Sequence, residues 1–251
     1  MMNKKQLINS IFYQRKSFID KDENDFLVNV DKNIHVGIRF FLKDKSYPNI
    51  IFFHGNAELA QEYEDIGNYY NRFNMNLIVA DYRGYGLSNG IPDKDNLHSD
   101  SKIIFKEVKD YLSKHKYNGK LLIMGRSLGS ASACEIISNF EDDIAGCIIE
   151  SGFATEYSLL SLMNIDPDMI EYNLEDGFMN LAKIKKYKKP LFIIHANLDD
   201  IIPFSQAEMI FIESKSTIKD LFKVSGANHN NIIHLSREEY FKKIKFFIES
   251  L

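Results

Sequence analysis

Short apolar runs alternate along the chain with longer stretches that have helical spacing. The runs FLVNV (26–30) and IHVGIRFFL (34–42) predict an opening pair of antiparallel strands. Continuous apolar runs predict buried strands, because a strand covered on both faces needs no polar alternation; they lie at 48–55, 75–84, 120–125, 144–151, 189–196 and 220–227. Helical spacing predicts helices at 57–73, 100–115, 128–140, 204–214 and, closing the chain, 237–251.

Strands that alternate with helices of this length are typical of an α/β fold, in which helices cover both faces of a mostly parallel sheet. Neither a repeat nor a low-complexity linker divides the chain, so we predict a single domain over 1–251. The stretch 153–188 is long for a connection in such a fold and carries apolar residues of its own. We interpret it as a small helical cap inserted between two strands.

The composition narrows the class of protein. The chain has 251 residues, 45% of them hydrophobic, and its formal net charge of −4 gives no reason to expect a nucleic-acid partner. The basic N-terminus lacks the apolar core of a signal peptide, and no apolar run approaches the ~20 residues of a membrane span. Cys134 and Cys147 lie in apolar runs, which indicates buried reduced thiols. We therefore predict a cytoplasmic protein and leave its oligomeric state open.

One polar residue interrupts the pattern where a strand is predicted to turn into a helix. In LLIMGRSLGSASA (121–133), Ser127 has Gly125 and Gly129 two positions away on either side. A nucleophile at such a turn sits in a strained backbone, and strand and helix approach so closely that side chains two positions away would clash. Because the G-x-S-x-G pattern arises by chance about once in ten chains of this length, a solvent-facing turn serine is the alternative.

A nucleophilic serine needs a base, and the base needs an acid that orients it. Both follow the serine in the chain order typical of such a turn, which disfavours the earlier histidines, His35, His54, His98 and His115. Among the later ones we favour His229, whose loop SGANHNN lets an imidazole reach back over the sheet edge. For the acid we favour Asp199 over Asp200 and Glu150. The Asp199–Asp200 pair could instead be the N-cap region of the next helix.

Acyl transfer also needs two N–H donors that stabilise the oxyanion. We predict the backbone N–H of Leu128, directly after the serine, as the first donor. The second is the backbone N–H of Asn56, in the loop HGNAELA that follows the strand predicted at 48–55. The Asn56 side chain could add a hydrogen bond to the oxyanion or could only shape the loop.

Five motifs in order resemble those of the α/β-hydrolase superfamily: HGNAE (54–58), DYRGYGLSNG (81–90), GRSLGS (125–130), HANLDDIIP (195–203) and GANH (226–229). The likeness is greatest to small serine hydrolases among the α/β-hydrolase domain-containing proteins, namely esterases, monoacylglycerol-lipase-like enzymes and depalmitoylating thioesterases. It covers about residues 48–231. The resemblance implies the α/β-hydrolase fold, with Ser127, Asp199 and His229 as the catalytic triad, but it does not define the substrate.

The leading hypothesis is an ester or thioester hydrolase that works through an acyl-enzyme. Four apolar residues of the predicted cap are candidates for binding the acyl group, unless they only attach the cap to the body: Phe153, Leu159, Leu160 and Met163. A second hypothesis is an aminopeptidase-like or amide hydrolase, with Glu150 or Glu175 as the anchor for a substrate amine. A third is a catalytically silent binding module of the same fold, in which a triad member would be missing or misplaced.

Two weaker interpretations concern other ligands. A metal could use two histidines and two aspartates, but no His-x-x-x-His helix pattern supplies a frame; the residues are His195, Asp199, Asp200 and His229. The basic run KIKKYKK (183–189) could attract an anionic membrane surface, although a solvated helix face is the plainer interpretation. We expect a small acyl ester or thioester as the partner, and neither a metal nor another cofactor.

Overall fold

The computed structural model describes residues 3–251 and contains one eight-stranded sheet. In chain order the strands are β1 (Asp25–Asp31), β2 (Ile34–Phe41), β3 (Asn49–Phe53), β4 (Asn76–Ala80), β5 (Leu121–Arg126), β6 (Gly146–Glu150), β7 (Leu191–Ala196) and β8 (Lys219–Val224). Across the sheet their order is β1-β2-β4-β3-β5-β6-β7-β8. Strand β2 runs antiparallel to β1 and β4, and the other neighbours are parallel. The predicted antiparallel opening and mostly parallel sheet are confirmed.

Helices cover both faces of this sheet. They are α1 (Lys4–Asn9), α2 (Glu64–Arg72), α3 (Lys94–Lys114), α4 (Gly129–Asn139), α5 (Tyr157–Leu162), α6 (Asn180–Ile184), α7 (Phe204–Glu213), α8 (Ile232–Ser236) and α9 (Glu238–Glu249). The helix predicted from residue 57 begins as a 3-10 turn over Ala60–Tyr63 before α2. Helix α3 begins at Lys94 instead of residue 100, because the Asp93 side chain caps it by accepting a hydrogen bond from the Asn96 N–H.

Alternate residues of the central strands face two hydrophobic layers. In β5, Leu122 and Met124 pack in the layer shared with α2 and α9, whereas Ile123 packs in the layer shared with α3 and α4. Burial on both faces explains why these strands appear in the sequence as continuous apolar runs. Cys134 and Cys147 are free thiols buried in the second layer, and burial raises the pKa of Cys134 to about 12.

The stretch between β6 and β7 contains α5, a 3-10 turn at Leu174–Asp176, and α6. One anchor is the buried Phe178, whose ring packs edge-on against Phe153 and against Phe12 of the N-terminal segment. The Glu156 carboxylate holds the Phe178 backbone by accepting a hydrogen bond from its N–H. Residues 161–171 are mostly exposed or half-buried. That this stretch acts as a cap over the site stays a prediction.

Candidate active site

Ser127 lies at the turn between β5 and α4. Its backbone φ is +51°, a left-handed conformation that costs a residue with a side chain on the order of 1–3 kcal/mol. The Ser127 N–H donates a hydrogen bond to the Glu150 carbonyl at 2.9 Å. The Ser127 carbonyl accepts one from the Ser130 hydroxyl at 2.6 Å. The neighbouring strand and the first turn of the helix therefore hold the strained residue from both sides.

The two glycines that flank Ser127 leave no space for a side chain. A Cβ atom at Gly125 would lie 2.3 Å from the Gly129 carbonyl oxygen, and a Cβ atom at Gly129 would lie 1.9 Å from the Phe53 carbonyl oxygen. Both distances are far below a carbon–oxygen contact, so either substitution would push the backbones apart. The spacing of the G-x-S-x-G motif thus reflects the close approach of β3, β5 and α4 beneath the serine.

The His229 ring bridges Ser127 and Asp199. Its Nδ1 lies 2.8 and 3.0 Å from the two Asp199 carboxylate oxygens, and its Nε2 lies 3.1 Å from Ser127 Oγ. An ionised carboxylate only accepts hydrogen bonds, so Nδ1 carries the ring proton. The Nε2 lone pair then faces the Ser127 hydroxyl, which is the arrangement that a general base needs.

Asp199 is held as an ionised acceptor. Burial raises the pKa of this carboxyl, but the hydrogen bond and the electrostatic attraction of His229, with the Ile202 N–H, outweigh burial and hold the pKa below its usual value. The Oδ1 atom accepts hydrogen bonds from the backbone N–H groups of Ile201 and Ile202, at 3.0 and 2.8 Å. These bonds fix the carboxylate where it can orient the imidazole.

The other carboxylates considered for this position point elsewhere. Asp200 is exposed, and it does not cap the next helix, because α7 begins after Pro203 without a side-chain cap bond. The Glu150 carboxylate contacts the Arg126 guanidinium and accepts a hydrogen bond from the Tyr240 hydroxyl. Of the three acidic candidates, Asp199 alone is placed against His229.

The two predicted oxyanion donors lie in adjacent turns, since β3 and β5 are neighbours and Phe53 pairs with Gly125. Among residues 3–251, no protein oxygen accepts a hydrogen bond from the backbone N–H of Asn56 or of Leu128. The Asn56 side chain is occupied, because its Oδ1 accepts from the Tyr13 N–H and its Nδ2 donates to a backbone carbonyl. The side chain therefore shapes the loop, and the backbone N–H remains free to bind an anion.

The four residues predicted to bind an acyl group divide into two pairs. Phe153 and Leu160 have no exposed surface and lie in the hydrophobic layer beside α4. In this conformation they attach the stretch between β6 and β7 to the body, which is the alternative that the sequence left open. Leu159 and Met163 are half-buried and remain accessible from solvent.

Sequence reasoning missed a charged cluster on the far side of His229. Arg126 directly precedes Ser127 and contacts the carboxylates of Glu58 and Glu150. These three residues and His229 line a pocket of about 270 Å³. The sequence did contain a signal for this cluster, namely a charged residue at the end of an otherwise apolar strand. A charge that is mostly buried requires a partner of opposite charge.

Comparison with known proteins gives matches at both the sequence and the structure level. A family model described as serine aminopeptidase, S33, matches residues 44–164. The human alpha/beta hydrolase domain-containing protein 17B is 29% identical over 79% of this chain and 65% of its own length. The Caenorhabditis elegans alpha/beta hydrolase domain-containing protein aho-3 is 28% identical over 81% of this chain and 58% of its own length. The chain thus spans less than two thirds of either relative.

A solved structure covers nearly the whole chain. The Pyrococcus furiosus esterase Pf2001 superposes with a TM-score of 0.74 at 18% identity, over 95% of this chain and 97% of that one. With the observed sheet order, these matches confirm that the protein has the α/β-hydrolase fold. In sequence, the protein is similar to α/β-hydrolase domain-containing proteins, as the motifs predicted.

The structure adds little support for a metal site or for attraction to a membrane surface. Within residues 3–251, no group of three or more His, Cys, Asp or Glu residues is arranged to hold a metal ion. In the basic run 183–189, Lys183 pairs with Glu135 and Lys185 with Glu213, so part of its charge is neutralised by the protein itself. In the part of the chain that the structure describes, no helix combines the length and apolarity needed to cross a bilayer. The cytoplasmic location stays a prediction.

Proposed function

We propose that the protein is a serine hydrolase that cleaves carboxylic esters or thioesters of acyl substrates. The observation that carries the proposal is the continuous hydrogen-bonded chain from Ser127 through His229 to Asp199, with the Nε2 lone pair directed at the hydroxyl. A histidine so oriented can take the hydroxyl proton as the oxygen attacks a carbonyl. The similarity in sequence to α/β-hydrolase domain-containing proteins and the similarity in fold to an esterase support the same reaction class.

The reaction would proceed in two halves. Ser127 Oγ attacks the acyl carbonyl, its proton passes to His229 Nε2, and the oxyanion accepts hydrogen bonds from the backbone N–H groups of Leu128 and Asn56. His229 then protonates the leaving alcohol or thiol, which departs and leaves an acyl-enzyme on Ser127. Water, deprotonated by the same Nε2, attacks that acyl-enzyme and releases the acid, which restores the serine.

The acyl group would lie towards the stretch 153–188, which we propose to act as a cap. Leu159 and Met163 are the cap residues that we propose to contact it, because both remain partly accessible. Phe153 and Leu160 would support them from the buried side. The preference for acyl-chain length should therefore change in Leu159→Ala and Met163→Ala variants when p-nitrophenyl esters of increasing length are compared with the wild type.

Labelling with a fluorophosphonate probe, read as intact mass, tests the activated serine. Stoichiometric labelling of the wild type that is lost in Ser127→Ala supports the proposal. Ser151 is a matched control, because it is also buried and has a left-handed backbone, with φ of +44°, and its hydroxyl has no hydrogen-bond partner among residues 3–251. Ser151→Ala should label as the wild type does. Absence of labelling in folded wild type would contradict the proposal and favour a silent binding module.

A second candidate is an amide hydrolase that removes N-terminal residues, favoured by the description of the matched family model. Such an enzyme needs a free carboxylate that anchors the substrate amine. Glu150 is already engaged by Arg126 and Tyr240, and Glu175 is exposed on the proposed cap. Kinetics on a matched pair of substrates, an aminoacyl p-nitroanilide and the corresponding ester, would decide between the two candidates. We expect the ester to be the better substrate.

A further inference from the structure

The guanidinium group of Arg126 contacts three separate segments that surround Ser127. It pairs with the Glu58 carboxylate in the loop after β3. Its Nε lies 3.4 Å from the Glu150 carboxylate at the end of β6. Its Nη2 donates a hydrogen bond to the His229 backbone carbonyl at 2.8 Å, in the loop after β8. These segments carry one proposed oxyanion donor, the backbone support of Ser127, and the proposed base.

The contact with Glu58 reaches the oxyanion loop. The Glu58 carboxylate accepts a hydrogen bond from the Gly55 N–H at 2.8 Å and another from the Tyr63 hydroxyl. Gly55 directly precedes Asn56, whose N–H is the proposed donor. A Cβ atom at Gly55 would lie 2.5 Å from Arg126 Nη1, so the guanidinium packs against this turn. Arg126 and Glu58 together therefore set the direction of the peptide that carries the Asn56 N–H.

The contact with His229 fixes the base from its backbone side. In the loop of residues 225–231 that follows β8, Arg126 Nη2 also lies 3.3 Å from the Asn230 side-chain oxygen. Asp199 holds the ring through Nδ1, but a hydrogen bond to the ring does not by itself prevent the loop from shifting. The bond to the His229 carbonyl supplies that second constraint, on the opposite side of the residue.

An arginine suits this position for reasons of geometry and burial. A guanidinium is planar and has five N–H donors that point in fixed directions, so one group can serve three partners at once. The Arg126 side chain is only 12% exposed and the Glu150 side chain 2%. Water therefore competes weakly for the contact between Arg126 and Glu150. A lysine ammonium would keep the charge but would not reach the three partners with the same geometry.

We propose that Arg126 is a positioning residue, which holds the oxyanion loop and the His229 loop at the distances that acyl transfer requires. This inference rests on the proposed hydrolase function. Arg126 does not contact the reacting atoms, and its guanidinium acts through Glu58, Glu150 and the His229 backbone. Because misplacement of catalytic groups by about 1 Å costs about 10²-fold in rate, its loss should lower kcat far more than it raises KM.

The first test compares Arg126→Gln, Arg126→Lys and the wild type by ester kinetics and by fluorophosphonate labelling at saturating probe. We expect kcat and the labelling rate to fall about 10²-fold in Arg126→Gln, with KM within about threefold of the wild-type value. Arg126→Lys should recover only part of the rate. Arg83→Gln is the matched control, because Arg83 is also buried and paired with a buried carboxylate, Asp100, at 2.7 Å. It should retain kcat within about threefold.

The second test separates positioning from loss of folding. Addition of guanidinium ion at millimolar concentration should restore a measurable part of kcat in Arg126→Ala and should leave the kcat of Arg83→Ala unchanged. Glu58→Gln should lower kcat as well, and the double variant Arg126→Gln/Glu58→Gln should be no slower than the worse single variant, because the two residues act as one unit. Multiplicative losses in the double variant would contradict the proposal.

The outcomes distinguish this inference from the proposed function. If the wild type neither labels nor hydrolyses esters, the proposed function fails. If the wild type reacts and Arg126→Gln reacts as fast, only the positioning role fails. A rise in KM with unchanged kcat would also overturn it, since this result would mean that Arg126 binds substrate from the adjoining pocket.

Discussion

The buried histidine–aspartate pairs His54–Asp81 and His229–Asp199 both lie at the carboxyl ends of strands, and of the two only His229–Asp199 adjoins a serine hydroxyl. His54, directly after β3, has Nε2 3.0 Å from Asp81 and Nδ1 2.7 Å from the Gly55 carbonyl oxygen. His229, after β8, has Nδ1 2.8 Å from an Asp199 oxygen and Nε2 3.1 Å from Ser127 Oγ. Both histidines are almost completely buried.

The difference lies in what faces the second ring nitrogen. In His54 both nitrogens face acceptor oxygens, so neither is directed at a group that could give up a proton. In His229 the second nitrogen faces a hydroxyl, which can donate a proton. The partner of that second nitrogen therefore decides whether the histidine of such a pair only stabilises the structure or is a candidate general base. His195 is an intermediate case, since its Nε2 lies 2.8 Å from the Ile202 carbonyl and 3.4 Å from Asp199.

The largest effect is expected at Asp199. In Asp199→Asn the amide can donate to His229 Nδ1, which favours the tautomer with its proton on Nε2, facing Ser127. We expect kcat to fall about 10³–10⁴-fold, while the free energy of unfolding changes by about 1 kcal/mol or less. Ester kinetics and urea unfolding on the same preparation check both. If Asp199→Asn retained a tenth or more of wild-type kcat, the His229–Asp199 pair would not differ from the His54–Asp81 pair in its contribution to the reaction.

The matching substitution at the other pair should affect stability instead. Asp81 Oδ1 accepts hydrogen bonds from His54 and from the Ala60 N–H. Asp81→Asn replaces the buried carboxylate with a neutral amide, which weakens the hydrogen bond to the His54 ring and buries two new N–H donors, so we expect the free energy of unfolding to fall by about 2–4 kcal/mol. Active-site titration normalises kcat to the folded fraction, and kcat should then stay within about tenfold of the wild type. A loss as large as that of Asp199→Asn would mean that His54 takes part in the reaction.

A smaller effect is expected for the intermediate histidine. His195→Gln keeps a donor near the Ile202 carbonyl and removes the ring that lies against Asp199. Because His195 supports the acid without touching the serine, we expect kcat to fall less than about tenfold, equivalent to about 1 kcal/mol. Steady-state kinetics at saturating ester measures this. A kcat unchanged within error would show that Asp199 needs no support from His195.

The smallest effect is a pH dependence of stability. Burial lowers the pKa of His195 below its ordinary value of 6.5, so the unfolded chain binds this proton at a higher pH than the folded protein. The contribution to stability is complete above about pH 6.5 and is lost as the pH falls below it. In urea unfolding at about pH 8 and about pH 5, the stability gap between the wild type and His195→Gln should narrow at the lower pH. A gap that widens would reverse the assigned sign.

The pattern of apolar runs was sufficient to predict the strands, because a strand buried on both faces must be apolar along its whole length. Each central strand predicted in this way occurs within a few residues of its expected place. Short helices such as α1 and α8, with 6 and 5 residues, did not show in the pattern. The reason is that so few residues complete little more than one helical turn, and such a segment depends on contacts made by the rest of the chain.

The sequence by itself determined where the strands lie along the chain, the strand-to-helix turn at Ser127 and the need for small residues beside it. These features depend on local sterics and on burial. Only the tertiary structure showed which carboxylate meets His229, because the sequence favoured Asp199 over Asp200 and Glu150 but the contact forms only when the loops after β7 and β8 pack together. It also decided that Phe153 is buried and that Arg126 joins three loops. Contacts between segments distant in sequence leave no periodic signal along the chain, and they arise only when the sheet brings those segments to one edge.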